Sequence, residues 1–194
     1  MSNRYHWRNI RGIFRAHDGI SAVEFALIAP LMFLIYFGCI ELSFMMTLDR
    51  KVTTAAATLG DLTARAATIS DGEMAEIIQA TRMVMQPNDI TQAKLRVTSV
   101  VEDEGQFEVV WSNSCGGMSV WSPGRVVEIP GNLAPAGGTL VVAEFEYPYK
   151  SPFGFFITTE KTLSETFYLR PRRVDSITRD AVSTSAACGY TAAG

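Results

Sequence analysis

GISAVEFALIAPLMFLIYFGCIELSFMMTL, residues 19–48, decides the architecture of this 194-residue chain. From Phe25 to Leu48 the only charged residue is Glu41. At about 1.5 Å per residue this run reaches roughly 36 Å, enough for a helix to cross a hydrocarbon layer about 30 Å thick. Glu24 stands at its entrance. A carboxylate at the centre of a membrane helix costs roughly 2.5–3.5 kcal/mol unless it finds a partner or water, so such a residue is a functional candidate by default. Pro30 lacks a backbone N–H and predicts a kink of the kind membrane helices tolerate where neighbours satisfy the freed carbonyl.

Upstream, Arg4, Arg8, Arg11 and Arg15 face only Asp18 in the first 19 residues. Positive residues stay on the cytoplasmic side, so the leader is expected there and the chain beyond about residue 50 on the far side. A secretory signal peptide has an apolar core of only about 7–15 residues before a small-residue cleavage site; this run continues too far. The remainder carries 13 basic and 19 acidic residues, with no basic stripe to neutralise phosphates, and predicts no nucleic-acid partner.

Downstream, Met45, Leu48, Val52, Ala55, Leu59, Leu62, Ala66 and Ile69 recur at three- and four-residue spacing, so one apolar seam runs out of the membrane. It predicts a helix lying on its own domain or bundling with another chain. Asp61 and Arg65 form an i,i+4 pair on its polar side, and Gly60 weakens it by about 1 kcal/mol. Ser70 and Glu73 read as a capping box opening a second helix from Asp71 to about Met85, closed off by Pro87. After Asn88 the pattern turns β-branched and aromatic, predicting strands over 93–101, 106–111, 126–129, 139–147 and 162–169, the first two joined through Glu102–Gly105 as a hairpin. The fold class is therefore α+β: a leader (1–19), a transmembrane helix (20–48), a helical stalk with a second helix (49–88) and a small antiparallel-sheet domain (89–194).

The residue inventory excludes most chemistry. Both histidines, His6 and His17, lie in the leader, and Cys39, Cys115 and Cys188 are scattered, so no metal site and no cofactor are expected. No phosphate-binding glycine loop, nucleophile elbow or zincin helix occurs, so an enzyme, and a membrane-anchored hydrolase in particular, is disfavoured, as is any small-molecule substrate. Topology places Cys115 and Cys188 together in an oxidising compartment with no third cysteine there, which makes them a candidate disulfide against the alternative of two free thiols. Ala22, Ala26 and Ala29 form a small-residue stripe that would let another helix approach closely, or are ordinary membrane alanines. Tyr147, Tyr149, Phe153, Phe155 and Phe156 cluster around Pro148, Pro152 and Gly154 and predict a loop, an interaction patch where exposed and core where buried, with about half of them expected in the core. Arg170, Arg172 and Arg173 read as a solvated turn or as a clasp for an acidic partner.

The basic leader, Gly19-Ile-Ser-Ala-Val-Glu24-Phe25 and the long apolar helix together resemble the class III signal of type IV pilin-like proteins, and the glycine-to-glutamate spacing looks like the Tad/Flp branch. VVAEFEYPYKSPF (141–153), FYLRPRR (167–173) and Cys188 near the C-terminus extend the resemblance, more loosely, to the TadE-like family. The resemblance implies cleavage between Gly19 and Ile20 by a prepilin peptidase. Glycine at that position lets an extended backbone enter a narrow protease cleft. It also implies assembly roles for Glu24 and Phe25, the Glu24 carboxylate pairing with the Ile20 amine of a neighbour. That amine, with an ordinary pKa of about 7.7–8.0, is largely cationic at neutral pH. The implied partners are the peptidase, other pilins or pseudopilins, the inner-membrane platform proteins of the Tad system and the lipid bilayer. The implied location is the bacterial inner membrane, spanned once, with the domain periplasmic or carried into an extracellular pilus. Major Flp pilins are much smaller than this chain and have tyrosine where Phe25 stands, so the resemblance points to a minor pseudopilin. TadG-like members need a DxSxS motif that Asp175-Ser176-Ile177 does not supply. The rival is a permanently anchored, uncleaved periplasmic scaffold of the secretion apparatus.

Overall fold

A computed structural model describes residues 20–130, 133–180 and 189–192. The leader, Gly19 and Cys188 lie outside the described residues. Helix α1 runs from Ile20 to Arg65 without interruption, with Pro30 inside it, and at its 46 residues is about 69 Å long. It ends earlier than the apolar seam. Ala66 and Ile69 are past its last turn, and Ile69 reaches the core from a strand instead, β1 (Thr68–Ser70). Helix α2 (Asp71–Met83) opens on the expected capping box: the Ser70 hydroxyl accepts from the Glu73 amide while the Glu73 carboxylate accepts from the Ser70 amide. It ends at Met83, two residues before the predicted end.

An antiparallel sheet follows, made of β2 (Lys94–Asp103), β3 (Gln106–Cys115), β4 (Val126–Val127), β5 (Thr139–Tyr149) and β6 (Lys161–Leu169), in the order β4-β3-β2-β5-β6. The five predicted strands are all present. A two-residue turn joins β2 and β3, with Glu104 and Gly105 at φ 49° and 85° and the Gly105 amide donating to Glu102 Oε1. Two left-handed residues suit the twist of a hairpin. Three short strands were not predicted: β1, which pairs in parallel with β7 (Thr178–Asp180), and β8 (Gly189–Ala192), which lies along the second half of β3. Three or four residues are too few to display a two-residue period.

The period of the strands sorts the side chains into two layers. Val141, Ala143, Phe145, Tyr147 and Tyr149 of β5, with Leu95 and Val97 of β2, pack against Leu48, Val52, Ala55, Ala56 and Leu59 of α1 and against Met74 and Ile78 of α2. Leu140 and Val142 face the other way and join Val100, Phe107 and Val109 beneath Trp121, Ile129 and Leu133 of the long connection. Of the two readings of the seam, the helix lying on its own domain is therefore the one observed. Gly60 marks the closest approach of α1 to the sheet: a Cβ there would collide with Leu169 Cδ1 and lie 3.2 Å from the Ala143 Cβ. A residue that weakens an isolated helix is here the one that lets helix and sheet meet.

Candidate functional site: a bare helix and a carboxylate clasp

The domain covers only the C-terminal part of α1. Ile20, Glu24, Phe25, Ala22 and Ala26 are exposed and Ala29 is half-buried, and the apolar window of the helix is wholly unburied by the rest of the chain. α1 is the one helix among the described residues long and apolar enough to cross a membrane. The predicted assembly and packing residues thus share one half of the helix, which the other described residues leave largely uncovered.

Contact with the domain begins at Phe37 and centres on Glu41, which is buried to 1% exposure. The 151–157 segment that follows β5 folds around this carboxylate. Ser151 Oγ donates to Glu41 Oε1 at 3.0 Å and the Phe155 amide donates to the same oxygen at 2.7 Å; the Phe156 and Ile157 amides donate to Oε2 at 2.9 and 3.1 Å. Tyr149 Oη donates to the Glu41 backbone carbonyl at 3.4 Å. Three successive amides aimed at one anion form a nest, and the anion that fills it is a side chain of the helix. The loop is shaped for this by Gly154, whose φ of 66° reverses the chain, and by Ser151 Oγ, which also accepts from the Phe153 and Gly154 amides. Four donors on a carboxylate remove the desolvation penalty that a lone charge in an apolar run would carry.

The aromatic cluster divides as the sequence suggested. Tyr147 and Tyr149 are buried, whereas Phe153, Phe155 and Phe156 are 49%, 64% and 50% exposed. Phe155 leans on Phe37 with ring centroids 5.5 Å apart, Phe153 on Phe44 at 6.1 Å, and an added Cβ at Gly38 would touch the Phe156 ring at 3.4 Å. Sequence reasoning singled out Glu24 and passed over Glu41. The available signal was a second solitary carboxylate in the apolar run, together with a Ser-Pro-Phe-Gly-Phe-Phe segment whose serine and glycine suit a tight turn around an acceptor.

The arginine segment finds partners inside the molecule. Arg172 pairs with Asp61 at 2.7 Å, beside the predicted Asp61–Arg65 pair at 2.5 Å, and its amide donates to the Ala64 carbonyl; Arg170 donates to the Leu133 carbonyl. The clasp for an acidic partner is thus used, in two of three arginines, within the chain. Two further arginines, Arg96 and Arg179, are buried and hold the sheet faces. Arg96 makes a two-point pair with Glu144 at 2.6 and 2.7 Å under Trp121, and Arg179 bridges Asp71, Asn113 and the Ile69 carbonyl. Cys115 is buried and disulfide-bonded, and Cys39 is free and exposed in the bare helix. The expected partner Cys188 lies outside the described residues.

Residues 19–59 match the family model described as TadE-like protein. The N-terminal segment is similar to that family. The match begins at Gly19, contains Glu24, Phe25 and Glu41, and ends at Leu59, where α1 is packed on the sheet. It covers about a fifth of the chain, so the sheet domain stands outside it. No curated protein and no solved structure matches the chain. The TadE-like segment is consistent with a component related to the Tad pilus and with anchoring in a membrane through α1.

Proposed function

We propose that this protein is a minor pseudopilin of Tad-type pilus assembly, made with a cytoplasmic leader that a prepilin peptidase removes after Gly19. The observation that carries the reading is the TadE-like match over 19–59 on a helix whose first half is bare. In an isolated chain, an exposed apolar helix with a carboxylate one turn from its start has lipid and other helices as its available partners. In the processed protein the Ile20 amine supplies the positive charge that the Glu24 of a docking subunit needs. Burial of one charge without the other is penalised, and this selects the paired register. The action is noncovalent: the helix packs with other pilins or with the membrane platform, while the sheet domain is held on the periplasmic side.

Intact-mass and N-terminal analysis of the membrane-extracted protein tests this directly. The expected mature chain begins at Ile20, and Gly19→Val leaves the full-length precursor. A native chain that still begins at Met1 in cells containing the peptidase overturns the pseudopilin reading in favour of a permanently anchored scaffold.

A further inference from the structure

The 152–156 loop is unusual in what it exposes. Three phenylalanines stand about half or more in the open at the tip of a segment that is otherwise tightly bonded through Ser151 and the Phe155, Phe156 and Ile157 amides. A loop rigidly folded to present aromatic rings is shaped for an apolar environment, since exposing them to water forfeits the gain of burying each ring. Its position on α1 identifies that environment. Glu41 is 21 residues beyond Ile20, which places it about 31 Å along the helix axis, the thickness of a hydrocarbon core. Phe37, which meets Phe155, and Gly38, where an added Cβ would meet Phe156, are about a turn closer to Ile20. The Phe155 and Phe156 rings therefore continue the exposed apolar band of Phe33, Leu34, Tyr36 and Phe37 at its far edge, and Phe153, against Phe44, lies about a turn beyond Glu41. The exposed Lys150 and Lys161 flank them in sequence at the end of the sheet where Tyr149 pairs with Lys161, with the exposed Glu160 beside them, and the two lysines suit anionic headgroups.

We infer that the Pro152–Phe156 loop is a membrane-interface wedge: Phe153, Phe155 and Phe156 enter the boundary between headgroups and acyl chains of the leaflet on the domain side, and the Glu41 carboxylate ties them at that depth. Phenylalanine is one of the side chains that interfacial segments bury at the headgroup and acyl boundary, and a rigid contact there fixes the height and tilt of the domain above the bilayer in a way that one helix alone does not. A carboxylate at the membrane edge is thereby used as an internal anchor, its charge spent on three backbone amides and a hydroxyl.

The inference rests on α1 crossing a membrane, and the test separates the two. p-Benzoylphenylalanine is placed in the full-length protein at Phe155, at Phe33 as a position within the span, or at Glu104 in the β2–β3 turn as an aqueous control, and native membranes are irradiated. The expected result is a phospholipid adduct at Phe155 within about threefold of the yield at Phe33, with none at Glu104. A lipid adduct at Phe33 without one at Phe155 overturns the wedge and leaves the span standing. Cross-linking of position 155 chiefly to a polypeptide, whether a second copy or another protein, also overturns it and makes the loop a protein contact. Absence of lipid at Phe33 overturns the span and the wedge together.

Discussion

At the residue scale, Glu41 and Gly60 carry the argument. Both look unfavourable where they stand, a charge in an apolar run and a glycine in a long helix, and both are explained by what crosses α1 there. Glu41→Gln keeps the size of the side chain but turns an NH₂ toward donors, so one side of the nest loses its acceptor. Each charge-assisted hydrogen bond corresponds to about tenfold or more in an equilibrium constant. Limited chymotrypsin digestion of the detergent-solubilised protein should therefore cut at Phe153, Phe155 or Phe156 at least about tenfold faster in the variant, while circular dichroism of the sheet is retained. Unchanged cleavage would show that the loop holds without the carboxylate. Gly60→Ala gains roughly 1 kcal/mol of helix propensity but forces a methyl against Leu169 and Ala143. Overpacking typically costs about 1–3 kcal/mol, so a net loss of about 1 kcal/mol is expected in denaturant titrations. Pairing it with Leu169→Ala should give a coupling of opposite sign, because the second change vacates the space the first one needs.

At the scale of elements, α2 depends on its cap. The Ser70 amide and hydroxyl both donate to Glu73 Oε2 at 2.8 Å, and these bonds hold the Glu73 carboxyl below the usual glutamate range against a smaller opposing effect of desolvation. A folded-state pKa lowered in this way contributes stability that is present above the unfolded value of about 4.3 and is lost as the pH falls through the folded one. Glu73→Gln retains a capping side chain but not its charge. The variant should melt below the parent at pH 7, and the gap should close as the pH is taken below about 4. A gap that persists unchanged in acid would assign the effect to shape rather than charge. The antiparallel strands need no such device: their two-residue alternation places β5 with one face on α1 and the other beneath the 121–134 connection.

At the scale of the whole molecule, the described residues form a sheet domain mounted on the distal half of a 46-residue helix, whose other half they leave exposed. In that arrangement Glu24 is free of the domain, about 25 Å along the axis from Glu41. Replacing Glu24 by Gln should thus leave folding and membrane insertion, and under the proposed function cleavage, largely intact while removing the charge proposed to meet the Ile20 amine of a neighbour. The expected variant is processed and membrane-resident, yet at least about tenfold poorer in recovery with pilin partners, as loss of one partner of a buried charge pair predicts. Normal piliation and normal partner recovery would reduce Glu24 to a residue reaching the headgroups. Glu41 is thus bound by the domain, while Glu24 stands exposed on the same helix, where the proposed function gives it a task toward other subunits.

What the sequence determined by itself is the part governed by local periodicity and spacing. The long apolar helix, the Ser70–Glu73 cap, the Glu102–Gly105 hairpin and the alternating strands are each set by residues near one another in the chain, and all are found where the pattern places them. The glycine-to-glutamate spacing that carries the family resemblance is local in the same sense. What only the tertiary structure decided depends on groups more than a hundred residues apart: the nest that receives Glu41, the fit of Gly60 under Leu169, the pairing of β1 with β7 and the use of Arg172 on Asp61. No period or spacing encodes such a meeting, because its energy appears only when the sheet is formed and the loop at its edge is brought against the helix. Glu41 was therefore legible as a lone charge, and its role became visible only with the amides of Phe155, Phe156 and Ile157 around it.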